Sequence, residues 1–359
     1  MRILQFICGP GAGGAEIYVR DLSITMREAG HDVHIVFLQS AAESNRDIEF
    51  EKLFLESLSK ESISYSFIGK DSRKKPWLGI SRLREVVKSF KPDIIHCHLY
   101  YALFFSFFIS STPIVYTHHN IKLGIPKFVY RLFDLRVSAY IGISNACKKI
   151  LMHGKNRNVV QITNAVSRNR IPLRDISELE AKPEVDFIFV GMLSPQKNLG
   201  LMLQAFSGLK NQNARLKIVG EGPDRDKLEA LAKTLDLEDQ VSFLGNIYNV
   251  GALLAQSDVF VMSSAWEGLP IALIEATLIG LPVIVTNVGG CSEVVHQCAN
   301  GFVVDSLDVD DYQKALQKMM DNKDLRLLFS KNALKFSKSF EINEAAEKHL
   351  QLYQKIISD

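Results

Sequence analysis

Two carboxylates eight residues apart, Glu267 and Glu275, frame the segment of this chain with the clearest chemical potential. Glu267 and Gly268 close a turn, Ser264 to Gly268, that follows the short apolar run Val259 to Ser263. Pro270 suits a first helical position, where its missing N–H leaves no bond unmade. Ile271 to Ile279 then reads as a buried helix stopped by Gly280, and Pro282 opens the apolar run Val283 to Thr286. Between residues 268 and 271 the N–H groups of Gly268, Leu269 and Ile271 lie at that helix's N-terminus, which makes an anion site. Carboxylates beside such a site repel phosphate but accept hydrogen bonds from hydroxyls. The pattern suits a ligand with a diphosphate in the middle and polyols at both ends, as in a nucleotide sugar. Two glutamates at this spacing are common and mostly solvated, so the spacing takes its meaning from its surroundings.

Those surroundings form a strand–loop–helix–strand unit, half of a parallel α/β sheet. Ligands of such sheets sit at the carboxyl ends of the strands, where Glu267 and Gly268 fall. Other strands end in residues of chemical interest. Asp186 to Val190 runs into Gly191-Met192-Leu-Ser-Pro-Gln196-Lys197-Asn198. This only superficially matches a P-loop, because Gln196 replaces the second glycine and Asn198 the hydroxyl residue after the lysine. Ile3 to Cys8 leads into Gly9-Pro-Gly11-Ala-Gly-Gly14, and Gly9, Gly11 and Gly14 fit a dinucleotide fingerprint. The next strand, Val33 to Leu38, ends in Gln39-Ser40 instead of the acidic residue a ribose needs, which argues against a nicotinamide enzyme. Asp93 to His98 carries His96 and His98 on one face, with no third ligand at recognisable spacing for zinc. Pro113 to Thr117 ends in His118-His119-Asn120. Segments of helical pattern fall at about Ala15 to Ala29, Tyr100 to Ile109, Phe128 to Val137 and Asn343 to Ile357.

Glu267-Gly-Leu-Pro, Glu275-Ala, Gly280-Leu-Pro-Val and Gly289-Gly290 with Glu293 closely resemble the donor-site signature of the family 4 retaining glycosyltransferases. The resemblance is strong from Val190 to Gly301, diffuse before that, and covers nearly the whole chain. It implies the GT-B fold, two Rossmann-like α/β domains facing a central cleft. The boundaries expected are an N-terminal acceptor domain at 1–167, a linker at 168–184, a nucleotide-sugar domain at 185–340 and a returning helix at 341–359. Asn164-Ala-Val resembles the segment that closes the family's first domain. By resemblance Glu267 holds donor-sugar hydroxyls, Glu275 the ribose, and Lys197 with Gly268 and Leu269 the diphosphate. The loop at Asn246 and Tyr248 seats the base, Gly14 and Gly191 bring backbone close to the donor, and His119 is the histidine the family places before Asn or Asp. No cofactor or metal is implied. One departure is Met192, where the family usually has Arg. An isomerase on the same fold, a UDP-N-acetylglucosamine 2-epimerase, and a non-catalytic nucleotide-sugar binder are the competing readings; the paired glutamates oppose the first and Met192 favours the second.

Composition bounds the rest. The 359 residues suffice for two full domains. The five scattered cysteines fit a reducing compartment, and Arg2 to Cys8 reads as a strand rather than a signal peptide. The longest apolar run, Leu99 to Ile109, is well short of the roughly 20 residues that cross a bilayer. The net charge of +2 conceals an asymmetry. Residues 1–183 hold 26 Lys and Arg against 17 Asp and Glu, a balance of +9, and the remainder balances at −7. A basic first half carrying Lys70, Arg73, Lys74 and Lys75 beside Trp77, and Lys127, Arg131 and Arg136 on an amphipathic segment, suggests an anionic partner. The expectation is a cytoplasmic enzyme, peripheral on an anionic membrane, with a polyprenyl-diphosphate-linked or other glycan as acceptor and no nucleic acid.

Overall fold

The computed structural model describes residues 1–44, 46–109, 112–152, 157–172, 174, 184–209 and 213–358. They fall into two units, Met1–Ala165 with Ile342–Asp359, and Val166–Glu341. The first unit is built on seven strands: β1 (Arg2–Ile7), β2 (Asp32–Phe37), β3 (Ser64–Phe67), β4 (Ile94–Cys97), β5 (Ile114–His118), β6 (Val137–Gly142) and β7 (Val159–Gln161). They are ordered β3-β2-β1-β4-β5-β6-β7, and every pairing is parallel. The second unit holds β8 (Val185–Val190), β9 (Ala214–Val219), β10 (Val241–Gly245), β11 (Val259–Met262), β12 (Val283–Thr286) and β13 (Gly301–Val304), ordered β10-β9-β8-β11-β12-β13 and again parallel.

Continuous apolar strands explain both sheets. Parallel strands are covered on two faces, so β11 and β12 read Val-Phe-Val-Met and Val-Ile-Val-Thr and are buried at every position. In each sheet the strand order reverses once, between β1 and β4 and between β8 and β11. A doubly wound sheet opens a crevice at such a reversal, beyond the carboxyl ends of its strands. The loops after β8 and β11 carry Gly191 to Lys197 and Ser263 to Gly268; those after β1 and β4 carry the glycine-rich turn and His98.

The final helix, Ile342–Ser358, belongs to the first unit and packs on the helix Gly14–Glu28. Two buried polar bonds hold it: Tyr18 Oη to His349 Nε2 at 2.9 Å and Tyr353 Oη to His96 Nδ1 at 2.5 Å. The chain divides at 165/166 and 341/342. Of the expected linker, residues 173 and 175–183 lie outside the described residues. Arg174 lies in the second unit, its guanidinium donating to Ser257 O at 2.5 Å and Gly280 O at 3.2 Å.

Several segments differ from the sequence reading. Residues 40–80, legible only as polar and helix-like, contain the edge strand β3, whose Ser-Tyr-Ser-Phe lacks an apolar run. The helix expected over Tyr100 to Ile109 ends at Ser106. The amphipathic helix spans only Lys127–Phe133, and Val137 already starts β6. That helix buries Tyr130 and Phe133 and leaves Phe128 and Leu132 exposed, so only one side docks on the core.

Candidate functional site

The second unit's switch point is stitched from two loops. Ala265 N donates to Gln196 O at 2.8 Å, and Ser263 Oγ donates to the carbonyls of Lys197 and Asn198 at 3.1 and 3.0 Å. Asn198, in the left-handed region at φ +48°, turns the chain into the helix Leu199–Ser207. These bonds set Lys197 beside Glu267, with Lys197 Nζ 2.5 Å from Glu267 Oε1. Gln196 Nε2 donates to Glu267 Oε2 at 3.1 Å and Ser264 Oγ to Oε1 at 2.8 Å. The Glu267 carboxylate is only 5% exposed, yet both oxygens are bonded, which a buried charge requires. A Cβ on Gly191 would lie 3.3 Å from Lys197 Cε and 3.0 Å from Phe189 Cζ, so glycine leaves the lysine its path.

A third loop supports the arrangement from behind. Gly290 N donates to Gly268 O at 2.7 Å, and Thr286 Oγ1 to Ser264 O at 2.6 Å. Gly289 has φ +56°, and a Cβ there would fall 1.9 Å from Glu267 O. Only glycine fits. The thiol of Cys291 is buried nearby, and burial, then the Glu267 charge, push it well above its ordinary pKa. It is therefore an inert neighbour of the ion pair, not a nucleophile.

Glu275 lies farther along the helix Ile271–Ile279, whose N-terminus follows Pro270 and has no side-chain cap. Its carboxylate is 5% exposed and meets Arg170, with Nη2 of Arg170 2.6 Å from Glu275 Oε1. Arg170 had no signal in the sequence, because it sits in the segment read as linker. Gln196, Ser264 and Gly289 were likewise visible as residues but not as partners of Glu267.

The remaining second-unit candidates spread outward. Gly268 and Leu269 are buried at the turn between Glu267 and the helix. Asn246 and Tyr248 lie on the exposed loop after β10, the edge strand, and Met192 is exposed in the loop after β8.

In the first unit Gly14 begins the helix Gly14–Glu28, and Gly9 is tightly confined, since a Cβ there would fall 2.5 Å from Gln39 O. His119 follows β5, its Nε2 3.0 Å from His98 Nδ1. His98 Nε2 in turn lies 2.8 Å from Gln5 Oε1, and His96 Nε2 2.7 Å from Thr117 Oγ1. The two histidines of β4 and its end are thus engaged in a hydrogen-bonded core network. Burial, then neighbouring histidines, hold both well below the usual imidazole pKa.

Comparison with known proteins agrees with this anatomy. Residues 12–170 match the family described as Glycosyltransferase Family 4, and residues 173–336 the one described as Glycosyl transferases group 1. An uncharacterized glycosyltransferase of Haemophilus influenzae is 26% identical over 94% of this chain and 95% of its own length. A UDP-Gal:alpha-D-GlcNAc-diphosphoundecaprenol alpha-1,3-galactosyltransferase of Escherichia coli is 33% identical over 46% of this chain and 44% of its own. Among solved structures, Anabaena HepE in complex with UDP and glucose superposes with a TM-score of 0.83 at 19% identity, covering 99% of this chain and 100% of that one. At that identity the likeness speaks for the fold. Two Rossmann-like units and two matched families that together span most of the sequence make this chain a family 4 glycosyltransferase of the GT-B fold.

Proposed function

We propose that the enzyme moves a hexose or N-acetylhexosamine, with retention, from a nucleotide diphosphate sugar to a hydroxyl of a polyprenyl-diphosphate-linked glycan. UDP is the carrier we favour, because HepE was solved with UDP and the Escherichia coli relative takes UDP-Gal. The same relative's name includes a diphosphoundecaprenol acceptor, which supports a lipid-linked acceptor in surface polysaccharide synthesis. The observation that carries the reading is the buried Lys197–Glu267 pair at the carboxyl ends of β8 and β11, next to an uncapped helix N-terminus.

In this account the bond between the donor's anomeric carbon and the diphosphate breaks as the acceptor oxygen bonds to the same face. The acceptor's proton passes to the departing phosphate oxygen. Negative charge grows on the diphosphate, so fixed donors aimed at it lower the barrier. Lys197 and the N–H groups beginning at Gly268 and Leu269 supply them. Lys197 exchanges Glu267 for the diphosphate, and Glu267 is released to accept hydroxyls of the donor sugar. Glu275, oriented by Arg170, accepts from the ribose. Asn246 and Tyr248 receive the base and backbone at Gly191 approaches the donor; in the first unit, taken by itself, Gly14 and His119 are the residues assigned to substrate contact.

The membrane part of the proposal rests on two segments of the first unit that expose apolar and basic residues together. Trp77 is 65% exposed and follows exposed Lys74 and Lys75, and Phe128, Leu132 and Leu135 are 67, 56 and 75% exposed among exposed Lys127 and Arg131. Arg136 is not available for such contact, because its guanidinium donates to Ile109 O. No helix among the described residues is long and apolar enough to cross a membrane. Contact with an anionic leaflet through these segments would bring a lipid-linked acceptor to the enzyme. Incubation with a panel of nucleotide sugars, following nucleotide diphosphate release with and without a polyprenyl-diphosphate-linked glycan, tests the reading. Release that depends on donor and acceptor supports it, and none with any donor overturns it.

A further inference from the structure

Gln5 lies inside β1, side by side with His96 of β4, and is fully buried. Its side-chain Nε2 is 3.7 Å from Met26 Sδ, and its amide also hydrogen-bonds the Tyr353 hydroxyl. A thioether sulfur has no proton to give, so the amide nitrogen must face it and the carbonyl must face the other way. That carbonyl, Oε1, lies 2.8 Å from His98 Nε2. A carbonyl oxygen only accepts, so His98 carries its proton on Nε2 and a lone pair on Nδ1. His98 Nδ1 is 3.0 Å from His119 Nε2, so His119 must in turn carry its proton on Nε2. His119 Nδ1 is then aprotic, and it is closed off with no hydrogen-bond partner among the described residues. Burial holds both rings neutral, which keeps this assignment single-valued around pH 7.

We propose that Gln5 and His98 are positioning residues that lock His119 in one tautomer. The only N–H of His119 is spent inside the first unit, so toward a bound sugar His119 acts as an acceptor through Nδ1. It orients a substrate hydroxyl; it neither protonates nor hydrogen-bonds the leaving phosphate. The unsatisfied Nδ1 is the group that a ligand hydroxyl completes. The inference rests on the reading that His119 meets the sugar substrate, but the lock itself does not depend on turnover.

Long-range proton–nitrogen correlation spectra of protein labelled in its histidine rings test the lock directly. At pH 7.5 the account expects His98 and His119 as Nε2–H tautomers, with tautomer exchange appearing in both rings of Gln5→Leu. A His119 protonated on Nδ1 in the wild type overturns the proposal, whatever the activity. If Gln5→Leu does not fold, the wild-type spectrum still decides. A second arm uses UDP-glucose and UDP release. Asn at 98 keeps an accepting oxygen near the position of Nδ1 and Leu does not. His98→Leu should lower kcat about tenfold, the worth of one hydrogen bond, and His98→Asn should restore it to within about twofold. Equal loss in both variants reduces His98 to a packing role and overturns the proposal. Absence of transfer by the wild type with every donor sinks the functional reading while the spectra still report the lock.

Discussion

Lys197 Nζ and Glu267 Oε1 lie 2.5 Å apart, an ion pair with both side chains largely withdrawn from solvent. Charges buried this way gain little net stability, because desolvation offsets their attraction. The pair makes more sense as a preset exchange, in which a diphosphate takes the lysine and sugar hydroxyls take the carboxylate. Lys197→Ala should lower the transfer rate on the order of a hundred-fold, as loss of a preorganised donor does. Steady-state rates with a saturating donor check this. Activity indifferent to Lys197 would show that the diphosphate is held by other groups.

Glu275 calls for a different expectation from the sequence alone, which would have Glu275→Ala abolish transfer and leave the fold untouched. Its 2.6 Å bond to Arg170 means that removing the carboxylate takes a charge partner from a mostly buried guanidinium. Breaking one side of a buried pair costs about 3–5 kcal/mol, the upper end applying where solvent is fully excluded. Glu275→Ala should therefore lose both donor binding and stability. Replacing both partners, Arg170→Met with Glu275→Leu, should recover stability without recovering binding. Thermal unfolding beside donor titrations separates the two losses.

Gly289→Ala probes the loop behind the ion pair. With φ at +56° and a Cβ 1.9 Å from Glu267 O, alanine must displace that backbone. The substitution should destabilise by more than about 1 kcal/mol and lower turnover together. Denaturant unfolding and UDP release on the same sample read both. Wild-type stability would show that the loop yields freely.

Burial lowers His34 and His118 to about 4, and burial followed by the neighbouring His119 lowers His349 to about 3. Unfolded histidines take up a proton near 6.5, so below that pH the unfolded chain binds more protons than the folded one. The stability these groups contribute is full above about 6.5 and declines through the window down to 3–4. Each should lose about 1.4 kcal/mol per pH unit across it. The melting temperature of the first unit should fall steadily from pH 7 to pH 5. A flat profile there would mean these imidazoles are hydrated or charged when folded.

The sequence carried the two sheets and the second unit's candidate loops far better than the first unit's buried polar network. Apolar runs such as Val259 to Met262 and punctuation such as Gly280 before Pro282 mark parallel strands and helix ends locally. Glu267 and Lys197 were both singled out in the sequence as candidates, but their pairing was not legible, because 70 positions separate them and only the sheet order joins β8 to β11. Arg170 was hidden inside a segment without apolar period. Strand β3 was hidden for the opposite reason: an edge strand with serines at alternate positions shows no hydrophobic signal. The histidine network stayed invisible because Gln5, His98, His119 and Tyr353 come from four distant stretches.

Vesicle sedimentation tests the membrane contact. Each basic residue near an anionic leaflet contributes about 1 kcal/mol, weakened by salt. Anionic vesicles should bind the protein at low salt and release it at high salt, and Lys127→Ser with Arg131→Ser should weaken binding. Equal binding to neutral vesicles, or none at low salt, favours a soluble acceptor.

The anomeric configuration of the product separates retention from inversion. An α-linked UDP-sugar, a glycan acceptor and the wild-type enzyme are combined, and the product's anomeric proton is read by NMR as it forms. The account predicts a small anomeric coupling, the mark of an α linkage, with UDP released in equal amount and product formation slowed in Lys197→Ala. A β-linked product at first appearance, or formation undiminished in Lys197→Ala, would contradict it.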